Sequence, residues 1–351
     1  MPVTRVTDES SVIRSFALKP LDGSPALNYE AGQFLTVRAT PNGLNKALVR
    51  TYTASSAPSD LAYRISVKRE PGGVVSNHLH DTLKLGDIIE AKAPKGAFFI
   101  DANEARPAVL IAGGVGITPM ISMARHVLHE GQRTRHMRPL TIFHSAQSTE
   151  QRDFAQEFRD LEQHSQGGIR YFSFVTNPTP KEKLGVDFDG IGYITADALQ
   201  KALPLADNEF FLCGLPPFMQ ALYDTLRGLG VRDIRIFAES FGPASLTSTP
   251  DTGTAARPSP EEADEVVIAF ATSGFEQPWS KGDATLLETA EAHGLSPIFS
   301  CRDGACGSCA TRKLTGNVTY RTHPSADHTE DEVLICCAVP AKGTEILTLD
   351  L

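Results

Sequence analysis

No apolar run in this chain of 351 residues reaches the roughly 18 residues that cross a bilayer, so no membrane-spanning helix is expected. The opening stretch Met1-Pro-Val-Thr-Arg-Val-Thr-Asp-Glu-Ser10 lacks the apolar core of a secretory leader, and the protein is read as cytoplasmic. Positive charge is not in excess. Lys and Arg number 33 against 42 Asp and Glu, a net charge of −9, which argues against nucleic acid and anionic lipid as partners. There is no internal repeat and no Ser–His–Asp pattern of the kind nucleophilic catalysis uses. Cysteine is nearly missing from the first 300 residues, where Cys213 stands alone. Apolar residues at 41% and charged residues at 21% are ordinary globular values and exclude disorder, collagen and coiled coil for the bulk of the chain.

The length predicts two or three domains. Residues 1–103 read as antiparallel β. Short stretches alternate apolar and polar residues, as in Tyr63-Arg-Ile-Ser-Val-Lys68, and close spacing suggests a small barrel. Residues 104–243 change character. Apolar runs such as Ala108–Ala112 and Leu140–Phe143 alternate with helical stretches at Pro119–Glu130, Thr149–His164 and Pro216–Gly228, the βαβ rhythm of a parallel sheet. Residues 244–264 are rich in Ser, Thr, Pro and Ala and read as a linker spanning about 25 Å as a flexible coil. Residues 265–351 read as a small α+β unit: a strand at Glu265–Phe270, a turn at Ser273-Gly274, a helix at Ala284–His293 closed by Gly294, and strand segments near Lys313–Tyr320 and Glu345–Leu349.

That last module carries the whole charge excess. Residues 261–351 hold 15 acids and 6 bases, whereas residues 1–260 hold 27 of each. It also carries five of the six cysteines, in Cys301-Arg-Asp-Gly-Ala-Cys306-Gly-Ser-Cys309 and the adjacent pair Cys336 and Cys337. C-x4-C-x2-C with a distant fourth cysteine is the plant-type 2Fe–2S spacing. Four thiolates, two per iron, are required. Small residues between the first three let backbone amides approach the sulfides. A structural zinc site is the alternative, but zinc knuckles usually show two C-x2-C pairs and only one occurs here. Either member of the 336–337 pair could be the fourth ligand.

Ala112-Gly113-Gly114-Val115-Gly116-Ile117-Thr118-Pro119 follows a buried strand and opens a helix. Such glycines let amides approach a pyrophosphate at the positive end of the helix dipole. Phe210-Phe-Leu-Cys213-Gly214 is a second strand whose end would line the same crevice, although a buried cysteine is commonly just a small apolar residue. In the barrel, Arg50-Thr51-Tyr52-Thr53 offers a phosphate clamp, an aromatic face and a hydroxyl. Gly72-Gly73-Val74-Val75-Ser76 offers amides and a hydroxyl at a helix start.

Together these motifs resemble, in order, the ferredoxin–NADP reductase superfamily, and within it the phthalate dioxygenase reductase-like oxidoreductases with a C-terminal plant-type ferredoxin. The resemblance implies a multidomain fold: an antiparallel β-barrel flavin domain, an α/β Rossmann-like nucleotide domain and an α+β, β-grasp ferredoxin domain. It implies Arg50 on a flavin phosphate, Tyr52 against the isoalloxazine and Thr53 near flavin N5, with Lys68, Gly73, Val75 and Ser76 completing the flavin site. Gly113, Gly114, Gly116, Thr118 and Pro119 become the pyridine-nucleotide loop, with Cys213 and Gly214 beside the nicotinamide. Glu239-Ser-Phe241-Gly242 resembles the family's end-of-domain segment, which adds Glu239 and Phe241 to Thr53 and Cys213 as candidate catalytic residues. The family's Cys-x3-Pro pattern, with Pro340 here, implies Cys301, Cys306, Cys309 and Cys336 as cluster ligands and Cys337 as a packed thiol.

The stretch Val67–His80 is similar to the reductase module of flavohaemoglobins and implies FAD, with FMN as the alternative. The segment His144–Arg152 has no tight basic cluster for a 2′-phosphate, which implies NADH, with Arg152 leaving NADPH open. A nicotinamide gives two electrons as a hydride, an iron–sulfur centre takes one at a time, and a flavin does both. The expected activity is therefore electron transfer from NAD(P)H through flavin to the cluster, and then singly to an oxygenase component or another redox protein. The alternatives are a reductase portion of a larger fused enzyme, and a non-enzymatic redox sensor or electron store.

Overall fold

The chain opens with six strands: β1 (Val3–Asp8), β2 (Ile13–Leu18), β3 (Phe34–Ala39), β4 (Leu48–Thr53), β5 (Tyr63–Lys68) and, after helix α1 (Val74–Thr82), β6 (Glu90–Lys95). The computed structural model describes all residues except 25, 27, 45, 46, 241–245, 248–250, 252–260, 296, 300, 301, 303, 305, 323, 325 and 327. They form two compact units. One comprises Met1–Ala47, Tyr52–Pro94 and Phe98–Gly253, and the other Leu48–Thr51, Lys95–Ala97 and Thr254–Leu351. The six strands make two three-stranded sheets, β1-β2-β5 and β4-β3-β6. β2 and β5 pair antiparallel with Phe16 opposite Ile65 and Leu18 opposite Tyr63. Phe16, Leu18, Leu35, Val37, Ile65 and Val67 close the interior.

A second lobe continues the chain as β7 (Ala108–Gly113), α2 (Ile117–Thr134), β8 (Leu140–Ala146), α3 (Ala155–His164), β9 (Ile169–Val175), β10 (Gly190–Ile191), α4 (Ala196–Ala202), β11 (Glu209–Gly214), α5 (Pro216–Gly228) and β12 (Ile236–Ser240). The sheet is parallel, in the order β10-β9-β8-β7-β11-β12. Helices cover both faces, which is why β7, β8 and β11 are apolar almost throughout. The helix expected over Thr149–His164 is split. Thr149–Gln151 is a single 3-10 turn, and α3 starts only at Ala155. Between them Phe154 adopts φ 60° and buries its ring in the core. Burial of that ring overrides the continuous helical pattern.

A charged network joins the two lobes of this unit. Glu157 accepts from Arg64 (3.0 Å) and Arg125 (2.5 Å), and Arg125 also reaches Asp60 at 2.8 Å. Ser122 Oγ donates to the Ser56 carbonyl at 2.6 Å. Helix α5 holds two residues of the expected linker. Gln220 exchanges two hydrogen bonds with the Thr247 backbone, and Arg227 pairs with Asp251 at 2.7 Å. Most of 244–260 lies outside the described residues.

The C-terminal module contains β13 (Glu265–Phe270), β14 (Phe275–Ser280), α6 (Leu286–Ala292), β15 (Ala310–Thr315), β16 (Val318–Tyr320), β17 (Glu332–Leu334), β18 (Ala338–Pro340) and β19 (Ile346–Leu349). Its main sheet runs β14-β13-β19-β15-β17, and β16 pairs with β18. Thr285 and Glu288 form a capping box at the start of α6, an arrangement that stabilises a helix by about 1 kcal/mol. Leu286, Leu287 and Ala290 then pack with Ile268, Phe270 and Trp279. The strand expected near Lys313–Tyr320 is two strands, broken where Gly316 takes φ +85°.

Candidate functional site

Strand order decides where a nucleotide can lie. From β7 the chain steps outward through β8, β9 and β10, then returns to place β11 and β12 on the other side of β7. The reversal leaves a crevice outside the carboxyl ends of β7 and β11, the position at which open parallel sheets take their ligands. Both predicted motifs end there. Cys213 is in register with Ala112 on one side and Glu239 on the other, and Gly113 with Ser145.

Gly114–Gly116 forms a 3-10 turn leading into α2. Gly114 has φ +54°, a left-handed conformation that favours glycine. Gly116 is required for a different reason: a Cβ there would lie 2.2 Å from the Cys213 carbonyl oxygen. The loop is thus pressed against the end of β11. Thr118 donates its hydroxyl to the Val115 carbonyl at 3.0 Å and braces the turn from within, while Pro119 is buried in the first turn of α2. Phe218, on the first turn of α5, was not singled out from the sequence. Its ring would stand 3.1 Å and 2.8 Å from a Cβ on Gly113 and Gly214, so it walls the crevice. The only signal for it was an aromatic residue just after Cys-Gly-x-Pro-Pro.

Cys213 is completely buried within the core. Burial, reinforced by the charge of Glu239, holds its thiol far above the ordinary range. Phe241 and Gly242 lie outside the described residues.

In the barrel, Thr53 ends β4 with its hydroxyl buried and without a protein hydrogen-bond partner. A buried polar atom left unpaired is costly, and a flavin ring heteroatom is a partner of suitable chemistry. Tyr52 is half-buried beside it. Arg50, in the other unit, donates to the Val49 carbonyl at 2.7 Å and stands 5.7 Å over the Phe299 ring. Gly73 caps α1, and a Cβ there would meet Ser76 Oγ at 2.4 Å. Val75 is buried beneath, and Lys68 pairs with Glu70 at 2.8 Å. The first turn of α1 has no acidic residue, which suits a phosphate.

Cys306, Cys309, Cys336 and Cys337 are all buried, and Cys301 lies outside the described residues. Gly304 N–H donates to Cys336 Sγ at 3.3 Å and Ser308 N–H to Cys306 Sγ at 3.4 Å. Cys337 does the opposite, its thiol donating to the Leu334 carbonyl at 3.5 Å. Sulfurs that accept amides suit thiolate ligands, and a sulfur that donates suits a protonated thiol. Gly304 and Gly307 have φ +68° and +67°, which turns the loop back on itself. Among the described residues no three His, Cys, Asp or Glu side chains converge on one metal-ion position.

Comparison with known proteins agrees with each module. Residues 1–100 match the family of oxidoreductase FAD-binding domains, 110–224 that of oxidoreductase NAD-binding domains, and 269–341 that of 2Fe-2S iron-sulfur cluster binding domains. The flavohemoproteins of Rhizobium meliloti and Deinococcus radiodurans are 36% and 38% identical over 67% and 69% of this chain. The chain spans 58% and 59% of their length. The flavohem-like FAD/NAD binding domain of nitric oxide dioxygenase from Vibrio cholerae is 33% identical with a TM-score of 0.60. The match covers 69% of this chain and 98% of that one. Phthalate dioxygenase reductase, a modular structure for electron transfer from pyridine nucleotides to [2Fe-2S], is 26% identical with a TM-score of 0.58, over 100% of this chain and 97% of that one. No helix among the described residues is long and apolar enough to cross a membrane. With the barrel, the switch-point crevice and the amide-lined thiols each matched in order, the chain belongs to the ferredoxin–NADP reductase superfamily, as an oxidoreductase with FAD-binding, NAD-binding and 2Fe–2S ferredoxin domains.

Proposed function

We propose that this protein is an NADH-dependent reductase that delivers electrons singly to a separate redox protein, an oxygenase component being the partner class that the likeness to phthalate dioxygenase reductase favours. One observation carries the reading: FAD-binding, NAD-binding and 2Fe-2S family models all match along one chain, and together they supply an entry, a converter and an exit for electrons. Bound, the flavin would take the two electrons of a hydride and the 2Fe–2S centre would release them one at a time.

The residues would contribute binding, orientation and exclusion of water. The amides of Gly113, Gly114 and Gly116 would face the pyrophosphate at the start of α2, stiffened by Thr118 and Pro119. Cys213, Gly214, Glu239 and Phe241 would line the nicotinamide side, the neutral thiol giving an apolar contact surface. Thr53 would offer its unpaired hydroxyl to the flavin ring, with Tyr52 on its face, and Arg50, Lys68, Gly73, Val75 and Ser76 would complete that site. Cys301, Cys306, Cys309 and Cys336 would ligate the cluster. We place the domain limits at 1–103, 104–243 and 265–351, with 244–264 as linker, and the protein in the cytoplasm.

Arg152 favours NADH over NADPH. It is the first Lys or Arg in the chain after β8, at whose end the ribose would lie. Its guanidinium donates to Ser173 Oγ (3.1 Å), the Asp187 carbonyl (2.5 Å) and the Thr149 carbonyl (3.3 Å). Beside it the Glu182 carboxylate accepts from Thr149 and from Thr179 N–H, and these bonds hold it ionised below the usual carboxylate range. A 2′-phosphate would meet an occupied cation and an anion. The test is an anaerobic titration of reconstituted protein with NADH and NADPH, followed by flavin extraction and mass analysis. NADH should bleach flavin and cluster absorbance at lower concentration than NADPH, and the extracted flavin should be FAD. Bound flavin that NADH does not bleach would defeat the reading.

A further inference from the structure

A hydrogen-bonded chain runs from strand β16 to a cluster-loop sulfur. Tyr320 closes β16 opposite Ala338, one residue beyond the Cys336–Cys337 pair. Its phenol hydroxyl donates to His328 Nε2 at 3.1 Å. The two rings meet edge to face at 5.8 Å and 72°. On the other side of the imidazole, Nδ1 lies 3.0 Å from the Ala326 carbonyl. One tautomer satisfies both contacts: Nδ1–H donates and Nε2 accepts. Ala326 N–H then donates to the Gly304 carbonyl at 3.0 Å, and Gly304 N–H donates to Cys336 Sγ at 3.3 Å.

Gly304 is therefore gripped on both sides. Its carbonyl is held by Ala326 N–H and its amide faces a sulfur. No side chain could replace its hydrogen atom, since a Cβ would lie 2.8 Å from Cys337 Sγ and 3.0 Å from Pro324 Cα, and its φ of +68° is left-handed.

We propose that Tyr320 and His328 are positioning residues for the iron–sulfur centre: their relay holds Gly304 so that its amide stays aimed at the Cys336 sulfur, and this sets the reduction potential of the centre. An amide donated to a ligand sulfur draws off electron density and favours the reduced state. Loosening the relay should therefore make reduction harder. The inference rests on the proposed 2Fe–2S centre with Cys336 as a ligand.

The test compares full-length Tyr320→Phe, His328→Leu and the double variant with the parent protein, each reconstituted with iron, sulfide and flavin. Iron and sulfide content reports on the centre itself. Potentiometric titration followed by electron paramagnetic resonance reports on the relay. Resonance Raman adds the deuterium sensitivity of the Fe–S(Cys) stretch. Expected are parent-like cluster content, a more negative potential in both single variants, a double variant no more negative than the larger single shift, and a weakened deuterium effect. NADH bleaching of the flavin should be unchanged. If Tyr320→Phe fails to load, His328→Leu decides by the same criterion. Parent-like or more positive potentials in loaded variants, or shifts that add in the double variant, would overturn the relay while leaving the centre intact. A parent protein that binds no 2Fe–2S centre would overturn the underlying reading and the relay with it.

Discussion

Gly116→Ala puts the geometry of the crevice under direct test. The added methyl would stand 2.2 Å from the carbonyl oxygen of Cys213, 2.4 Å from its carbon and 2.7 Å from Gly214 N. Ordinary contact begins near 3.4 Å, so loop and strand must separate by about 1.2 Å. Neither can yield by a side-chain rotation, because the opposing atoms are backbone. β11 is also hydrogen-bonded on both edges, to β7 and β12. The loop must therefore move, and with it the amides proposed to hold the pyrophosphate. A misplacement of about 1 Å can cost about 10²-fold in rate. Stopped-flow mixing with NADH under anaerobic conditions should show flavin reduction slowed about 100-fold, with flavin and iron content unchanged. Gly228→Ala is the control, since no atom lies within 4 Å of its Cβ position. Flavin reduction at the parent rate in Gly116→Ala would refute the reasoning, because the loop–strand contact would then have no part in placing the nicotinamide.

Two further outcomes are expected from the separate sites and from the buried charge. Cys306→Ser should lose the visible absorbance of the cluster while NADH still bleaches the flavin at the parent rate; equal loss of both would mean that the sites are not separable. Asp153 is buried, with one carboxylate oxygen lacking a partner, and burial pushes its carboxyl up to about 6. The folded state then holds the proton more tightly than the unfolded chain between about pH 4 and pH 6. Stability falls as pH rises through that window, by about 3 kcal/mol, and stays lower above it. Urea melts of Asp153→Asn should therefore show a gain over the parent at pH 8 and none at pH 4, and parallel pH profiles would contradict this.

Much of the architecture was legible in the residues because it depends on local pattern. The runs at Ala108–Ala112 and Glu265–Phe270 became β7 and β13, and Pro216–Gly228 became α5 with its bounds unchanged. Pro216 at the helix start and Gly228 at its end carry that signal. The break at residues 152–154 was not legible, since only the core that receives Phe154 makes a left-handed residue worth its strain. Glu157 looked like one more charge on a helix face. Its place between Arg64 and Arg125 comes from elements about 90 and 30 residues away.

The candidate site divides the same way. Spacing alone grouped Cys301, Cys306 and Cys309 and named Gly113, Gly114 and Gly116, because a cluster and a pyrophosphate each demand small residues at short intervals. Spacing left Cys336 and Cys337 equivalent, and the resemblance to ferredoxins pointed to Cys336. What distinguishes the two physically is the direction of their hydrogen bonds, one sulfur accepting from Gly304 and the other donating to Leu334. The sequence by itself determined which chemistries this protein is equipped for, since those rest on residue types at short range. Tertiary structure decided that β7 and β11 are neighbours, that Phe218 walls their shared crevice and that Tyr320 reaches Gly304 through His328. Those contacts join residues far apart in the chain, and no local pattern encodes which strand will lie beside which.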